Sequence, residues 1–205
     1  MTTTVEFDHD FIKALKQQQQ TAFKQLVKNY HPMLLSLANS IVGAAYGEEV
    51  VQEAWVSIYQ NLPEFQNKSS LKTWCYRITS NKAISRLRRE NKQINFSDLQ
   101  SDEQDSVSDY FDDTGHWRSD QARWQDNSPD GQLFSQELQD CINHVLSGLP
   151  QLQQAIFMLR DVEGEGSDET CNILEVSASN MRVLLHRARF KLYNHINHFQ
   201  ETGEC

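Results

Sequence analysis

Apolar side chains recur along most of this chain at three- and four-residue intervals, the period of α-helices with one buried face. Phe11, Ile12 and Leu15 open the pattern. Phe23, Leu26, Val27 and Tyr30 continue it, with Thr21 placed to act as an N-cap. Pro32 suits the first turn of a further helix, whose apolar residues run over 33–42 and stop at Gly43. Residues 47–62 give the clearest helix. Val50, Val51, Ala54, Trp55, Ile58, Tyr59 and Leu62 fill one half of the wheel, and Glu49, Gln52, Glu53 and Gln60 the other. Val56 is an apolar residue on that polar half, which fits either a scattered surface valine or a partner surface. A polar loop follows. Ser69 or Ser70 then caps a helix over 71–91, with Leu71, Trp74, Cys75, Ile78, Ile84 and Leu87 as its buried stripe.

The pattern resumes with Leu138, Ile142, Val145, Leu146 and Leu149. Pro150 opens another helix, with Leu152, Ala155, Ile156 and Leu159 inside. After a polar break over 163–168 come a short helix to Leu174, the turn Glu175-Val176-Ser177, and a helix through Leu192 capped by Ser177. Met181, Leu184, Leu185, Ala188 and Leu192 face inward. Ser179, Asn180, Arg182, Val183, His186, Arg187, Arg189 and Lys191 face outward. A short helix, a tight turn and a capped helix with an exposed basic face is an arrangement that fits the DNA major groove. Residues 97–130 are rich in Asp, Ser, Gln and Asn without periodicity, and read as a linker of about 35 to 40 residues, longer than loops inside a compact domain. The expected fold is all-α: two small helical domains over 1–95 and 136–200, joined by a long acidic linker over 96–135.

Charge sharpens this division. The 205-residue chain has a formal net charge of -9, which excludes a uniformly basic nucleic-acid coat. Its distribution is uneven. Residues 68–92 hold eight Lys or Arg against Glu90 alone, residues 93–140 twelve Asp or Glu against two Arg, and residues 178–200 four Lys or Arg and no acid. A charged helix face is most often simply solvated. Here the charges are nearly all of one sign, and neighbours at i+3 and i+4 repel, so a polyanion is the natural compensation. Trp74 and Tyr76 lie beside this basic face and suit stacking on unpaired bases; Trp74 fits the core equally well.

Other classes find little support. The chain has no Gly-rich phosphate loop and no nucleophile motif. Cys141 and His144, with two residues between them, lack a second pair and read as a buried thiol and a surface imidazole, so no metal and no cofactor is expected. No stretch reaches the roughly 18 apolar residues of a membrane span, and residues 1–8 have no signal-peptide character. Cys75, Cys141, Cys171 and Cys205 lie far apart, which predicts reduced thiols in a cytoplasmic protein, Cys205 being the more reactive.

EEVVQEAW at 48–55 and FQNKSSLKTWCYRITSNKAISRLRR at 65–89 resemble region 2 of bacterial RNA polymerase sigma factors of the small extracytoplasmic-function group. SASNMRVLLHRARFKL at 177–192 resembles the recognition helix of their region 4. The resemblance implies a non-enzymatic factor that binds core RNA polymerase through the β′ clamp helices and the β flap. It would direct promoter recognition and melting for a stress-response regulon. Glu49, Gln52 and Glu53, with Val56, match the polymerase-docking surface. Asn67, Lys68, Ser69, Ser70 and Lys72 match the loop that captures a base from the minus-ten element. Trp74, Arg77, Asn81, Arg86, Arg88 and Arg89 match positions that separate and hold the promoter strands. Ser179, Asn180, Arg182, His186, Arg187 and Arg189 match positions that meet the minus-thirty-five element. An anti-sigma factor is a further implied partner, and the acidic linker is expected to occupy a basic polymerase channel. Glu175 departs from the Gly usual in the turn, and Glu165 and Thr170 from residues usually apolar. The competing readings are a stand-alone helix-turn-helix regulator that binds duplex DNA without polymerase, and a helical adaptor with no salt-dependent DNA binding.

Overall fold

A computed structural model describes residues 9–90 and 129–205. Among these the regular structure is helical: α1 (His9–Lys16), α2 (Gln20–Val42), α3 (Ala44–Asn61), α4 (Leu71–Glu90), α5 (Pro129–Ser147), α6 (Gln151–Phe157), α7 (Ser167–Leu174) and α8 (Ala178–Thr202). The expected all-α class holds over these segments. The acidic segment, apart from its end, and residues 1–8 lie outside the described residues. α5 begins at Pro129, so helix occupies the last residues of the span read as linker.

α8 runs on to Thr202, past the forecast end at Leu192, and the boundaries of α2 and α3 also differ from the pattern's forecast. Pro32 does not open a helix; it lies inside α2, which runs unbroken from Gln20. An interior proline costs about 3 kcal/mol. Leu26, Tyr30, Leu34, Leu37 and Ile41 are all buried along one stripe that crosses it, each side chain contributing about 1.5–3 kcal/mol, so burial wins. Thr21 consequently falls within the helix, and the N-cap position is Gln19, without a side-chain cap. α3 begins at Ala44 rather than Gly47, so Gly47 is helical and buried. A Cβ there would stand 1.8 Å from Asn39 Oδ1. The glycine thus permits the close approach of α2 and α3.

α2, α3 and α4 pack together as one bundle, with α1 against its end. α5 and α6 pack on α8 as a second. The two share their principal core. Leu152, Ile156, Leu159, Ile173 and Leu174 are buried in the same cluster as Leu34, Leu37, Tyr76 and Ile84. α6 lies on α2 and α7 on α4. A smaller core under α5 holds Cys141, Val145, Leu192, Ile196 and Phe199.

Candidate nucleic-acid interface

Ser70 starts α4 as expected: its hydroxyl accepts from the Thr73 amide at 3.0 Å. The preceding loop leaves Asn67, Lys68, Ser69 and Ser70 exposed, with Asn67 at φ 56°. Arg77, Asn81, Arg88 and Arg89 extend the exposed face along α4. Trp74 is half-buried, its ring 5.0 Å from that of Phe65. Tyr76 is fully buried, so it offers no stacking surface. The α4 wheel explains this, since Cys75, Tyr76, Thr79, Ser80 and Ala83 form the side pressed onto the core. Burial, and then Glu163 beside it, hold the Tyr76 phenol well above its ordinary pKa.

Lys72 and Arg86 belong to this face in sequence but are engaged in the structure. Lys72 Nζ stands 2.9 Å from Glu165 Oε1 and 3.3 Å from Glu163 Oε2, with all three side chains nearly buried. Arg86 pairs with Glu49 at 2.8 Å and lies over the Tyr46 ring at 4.4 Å. On the outside of α3, Glu49, Gln52 and Val56 are exposed and Glu53 is half-buried. Val56 keeps 58% of its surface exposed, which places an apolar side chain in the middle of a polar face.

α7, the turn and α8 form the second basic surface. Glu175 ends α7 at φ 56°, ψ 41°, the left-handed conformation for which the turn ordinarily uses glycine. Ser177 accepts from the Asn180 amide at 3.2 Å, which caps α8. Ser179, Arg182 and Val183 are exposed; Asn180, His186 and Arg187 are half-buried. Arg189 donates through Nε to Asp161 Oδ2 at 2.8 Å and also pairs with Oδ1. Thr170 is fully buried, and its hydroxyl donates to the Gly166 carbonyl at 2.8 Å. Together with the pairing of Glu165, this explains why polar residues are tolerated at both positions.

A family model of sigma-70 region 2 matches residues 26–93, and one of sigma-70 region 4 matches residues 139–192. A probable RNA polymerase sigma factor of Haemophilus influenzae is 32% identical over 74% of this chain and 77% of its own. The chain is an extracytoplasmic-function sigma factor. The sigma-E factor of Escherichia coli is 25% identical over 92% of this chain and 94% of its own. A solved structure of the Bartonella quintana sigma factor RpoE with the anti-sigma factor NepR superposes with a TM-score of 0.54 at 19% identity, covering 85% of this chain and 96% of that one. The sigma factor binds core RNA polymerase and directs promoter recognition and transcription initiation. Among the described residues no helix is long and apolar enough to cross a membrane.

In this sigma factor the loop and α4 bring Lys68, Ser69, Ser70 and Arg77 to one cleft. The contacts of α7 with α4 were not visible in sequence, because periodicity tells that a face is buried and not what covers it. Glu165 was legible as a departure from a residue usually apolar, and that was the available signal for the Lys72 pairing; Glu163 read only as part of a polar break. The expectation of four reduced cysteines is corrected. Cys141 and Cys205 form a disulfide, because the chain turns back after Gly203, at φ 75°, and brings Cys205 beside α5. Cys75 and Cys171 are thiols, both pushed up in pKa by burial, Cys75 being wholly enclosed.

Proposed function

We propose how the surfaces divide the work of the sigma factor. The exposed face of α3, with Glu49, Gln52, Glu53 and Val56, docks on the polymerase clamp helices. Loop residues 67–70 with Lys72, and the α4 face with Trp74, Arg77, Asn81, Arg86, Arg88 and Arg89, receive the opened minus-ten strand. The first half of α8 enters the major groove of the minus-thirty-five element, with Arg182 the leading side chain and Ser179, Asn180, His186, Arg187 and Arg189 around it. Opening the duplex costs roughly 1.4 kcal/mol of stacking per step. Stacking on an aromatic returns about 1–3 kcal/mol per captured base. No covalent chemistry is required of the chain, and its place of action is the cytoplasm, where the chromosome lies. The observation that carries the reading is Val56, an apolar side chain more than half exposed in an otherwise polar helix face, separate from two exposed cationic faces.

Val56→Asp tests it. The variant should lose most of its co-purification with core polymerase while its helicity is retained. Arg182→Ala should keep polymerase binding and lose promoter-directed run-off transcript. Retained polymerase binding by Val56→Asp would contradict the docking assignment. An anti-sigma partner, of the kind the Bartonella neighbour carries, is proposed on the strength of the shared fold.

A further inference from the structure

Among the described residues α5 packs chiefly on α8. Between the two helices lie Cys141, Val145, Leu192, Ile196 and Phe199, a small core distinct from the principal one. Cys141 is only 3% exposed, and its sulfur is bonded to that of Cys205, 64 residues on. The Cα atoms of the pair are 5.5 Å apart, within the usual range for a bridge. Cys205 lies past the end of α8, in a stretch where residues 200–205 are all exposed. One sulfur is therefore enclosed by a core, and the other is open to solvent. The remaining two cysteines, Cys75 and Cys171, stay thiols.

A permanent staple is at odds with the place of action proposed above. Cytoplasmic thiols are kept reduced, and the disulfides that do form there are usually transient, serving catalysis or redox sensing. Promoter recognition needs no catalytic dithiol, which leaves sensing. We propose that Cys141 and Cys205 are a reversible modification site, whose co-reactant is a small disulfide of the glutathione class. Deprotonated Cys205 attacks one sulfur of the oxidised co-reactant and the other sulfur leaves as a thiolate, giving a mixed disulfide. Deprotonated Cys141 then attacks the Cys205 sulfur and expels the second thiolate. The two cysteines lose two electrons and two protons, and the co-reactant becomes two thiols. Reduction is the reverse, with a small thiolate attacking the exposed Cys205 sulfur first. The closed pair pins α5 over Leu192, Ile196 and Phe199; the open pair leaves α5 held by the small core alone. The grip of α5 on α8 thus follows the thiol balance around the protein.

The test equilibrates the full chain, free of oxygen, in mixtures of reduced and oxidised glutathione, followed by acid quench, alkylation and peptide mass mapping. The bridged fraction should rise from below about a tenth in excess reduced glutathione to above about nine tenths in excess oxidised glutathione, and return when the mixture is reversed. A bridge that survives excess reduced glutathione is a fixed staple and overturns the proposal. So does a pair that stays as thiols, or stops at a glutathione adduct of Cys205, in excess oxidised glutathione. Hydrogen exchange reads the consequence. Amides over 138–146 should exchange about thirtyfold faster or more in the reduced chain, while those of α2 and α3 keep their rates. Cys205→Ser, at an exposed position, should match the reduced parent in both mixtures. Equal exchange in the two states of the parent, or a redox response that persists in Cys205→Ser, rules the site out. Neither measurement involves polymerase or DNA, so its failure leaves the division of surfaces standing.

Discussion

At Glu175 the chain takes a left-handed turn with φ 56° and ψ 41°, a conformation costing an L-residue about 1–2 kcal/mol. Its amide nevertheless donates to the Cys171 carbonyl, so the turn itself is well made. Glycine would remove the strain and add about 0.4–1 kcal/mol of unfolded-state entropy against folding. The balance favours Glu175→Gly by about 0.5 kcal/mol. Urea denaturation should show a higher midpoint with the same slope; a lower midpoint would mean that the Glu175 side chain contributes something the backbone account omits. The peculiarity of this position was readable in advance only through the resemblance, whose turn ordinarily carries Gly where this chain has Glu175. The occupation of Lys72 was not readable, because it depends on a pairing across 91 residues.

Helix packing explains which elements were legible. The α3 and α8 stripes emerged almost intact because each helix keeps one continuous apolar face, turned in α3 to α2 and α4 and in α8 to α5 and α6. Tyr59 is the exception on α3: it is 38% exposed, its ring edge-on to Phe23 at 4.9 Å. Pro32 misled because local preference favours a new helix there and tertiary burial overrides it. Gly47 poses the same conflict in a form that can be measured. Alanine in a helix interior gains about 1 kcal/mol over glycine. Against that, its Cβ would collide with Asn39, and overpacking of this kind costs about 1–3 kcal/mol. Gly47→Ala should therefore lower the melting temperature, and a rise would show that α2 and α3 separate at little cost. The Cys141–Cys205 bridge closes a span of 64 residues between α5 and the end of α8. Breaking a bridge of this kind costs about 2–4 kcal/mol. Dithiothreitol should lower the thermal midpoint of the parent chain and leave Cys205→Ser unmoved; equal midpoints with and without reductant in the parent would show that the bridge adds no stability.

The two elements for which the minus-ten and minus-thirty-five surfaces are named lie about 25 base pairs apart, roughly 85 Å of duplex at 3.4 Å each. A compact chain of this length has a radius of gyration of only about 17 Å. The bundles packed on a common core cannot span both elements, so simultaneous recognition requires separation on a larger body. If the free sigma factor meets duplex DNA through α8 alone, its salt dependence should reveal how many cations are engaged. α8 carries Arg182, Arg187, Arg189 and Lys191. Arg189 is committed to Asp161, which leaves at most three cations for phosphate. Each phosphate contact contributes about -0.9 to the slope of log K against log salt, so the slope for a minus-thirty-five duplex should be no steeper than about -2.7. Asp161→Ala releases Arg189 and should steepen the slope by about one unit, while Arg182→Ala should flatten it by a similar amount. Fluorescence anisotropy across a salt series reads both. A parent slope well beyond -2.7 would mean that α4 also reaches the duplex and that the two basic faces act together before polymerase arrives.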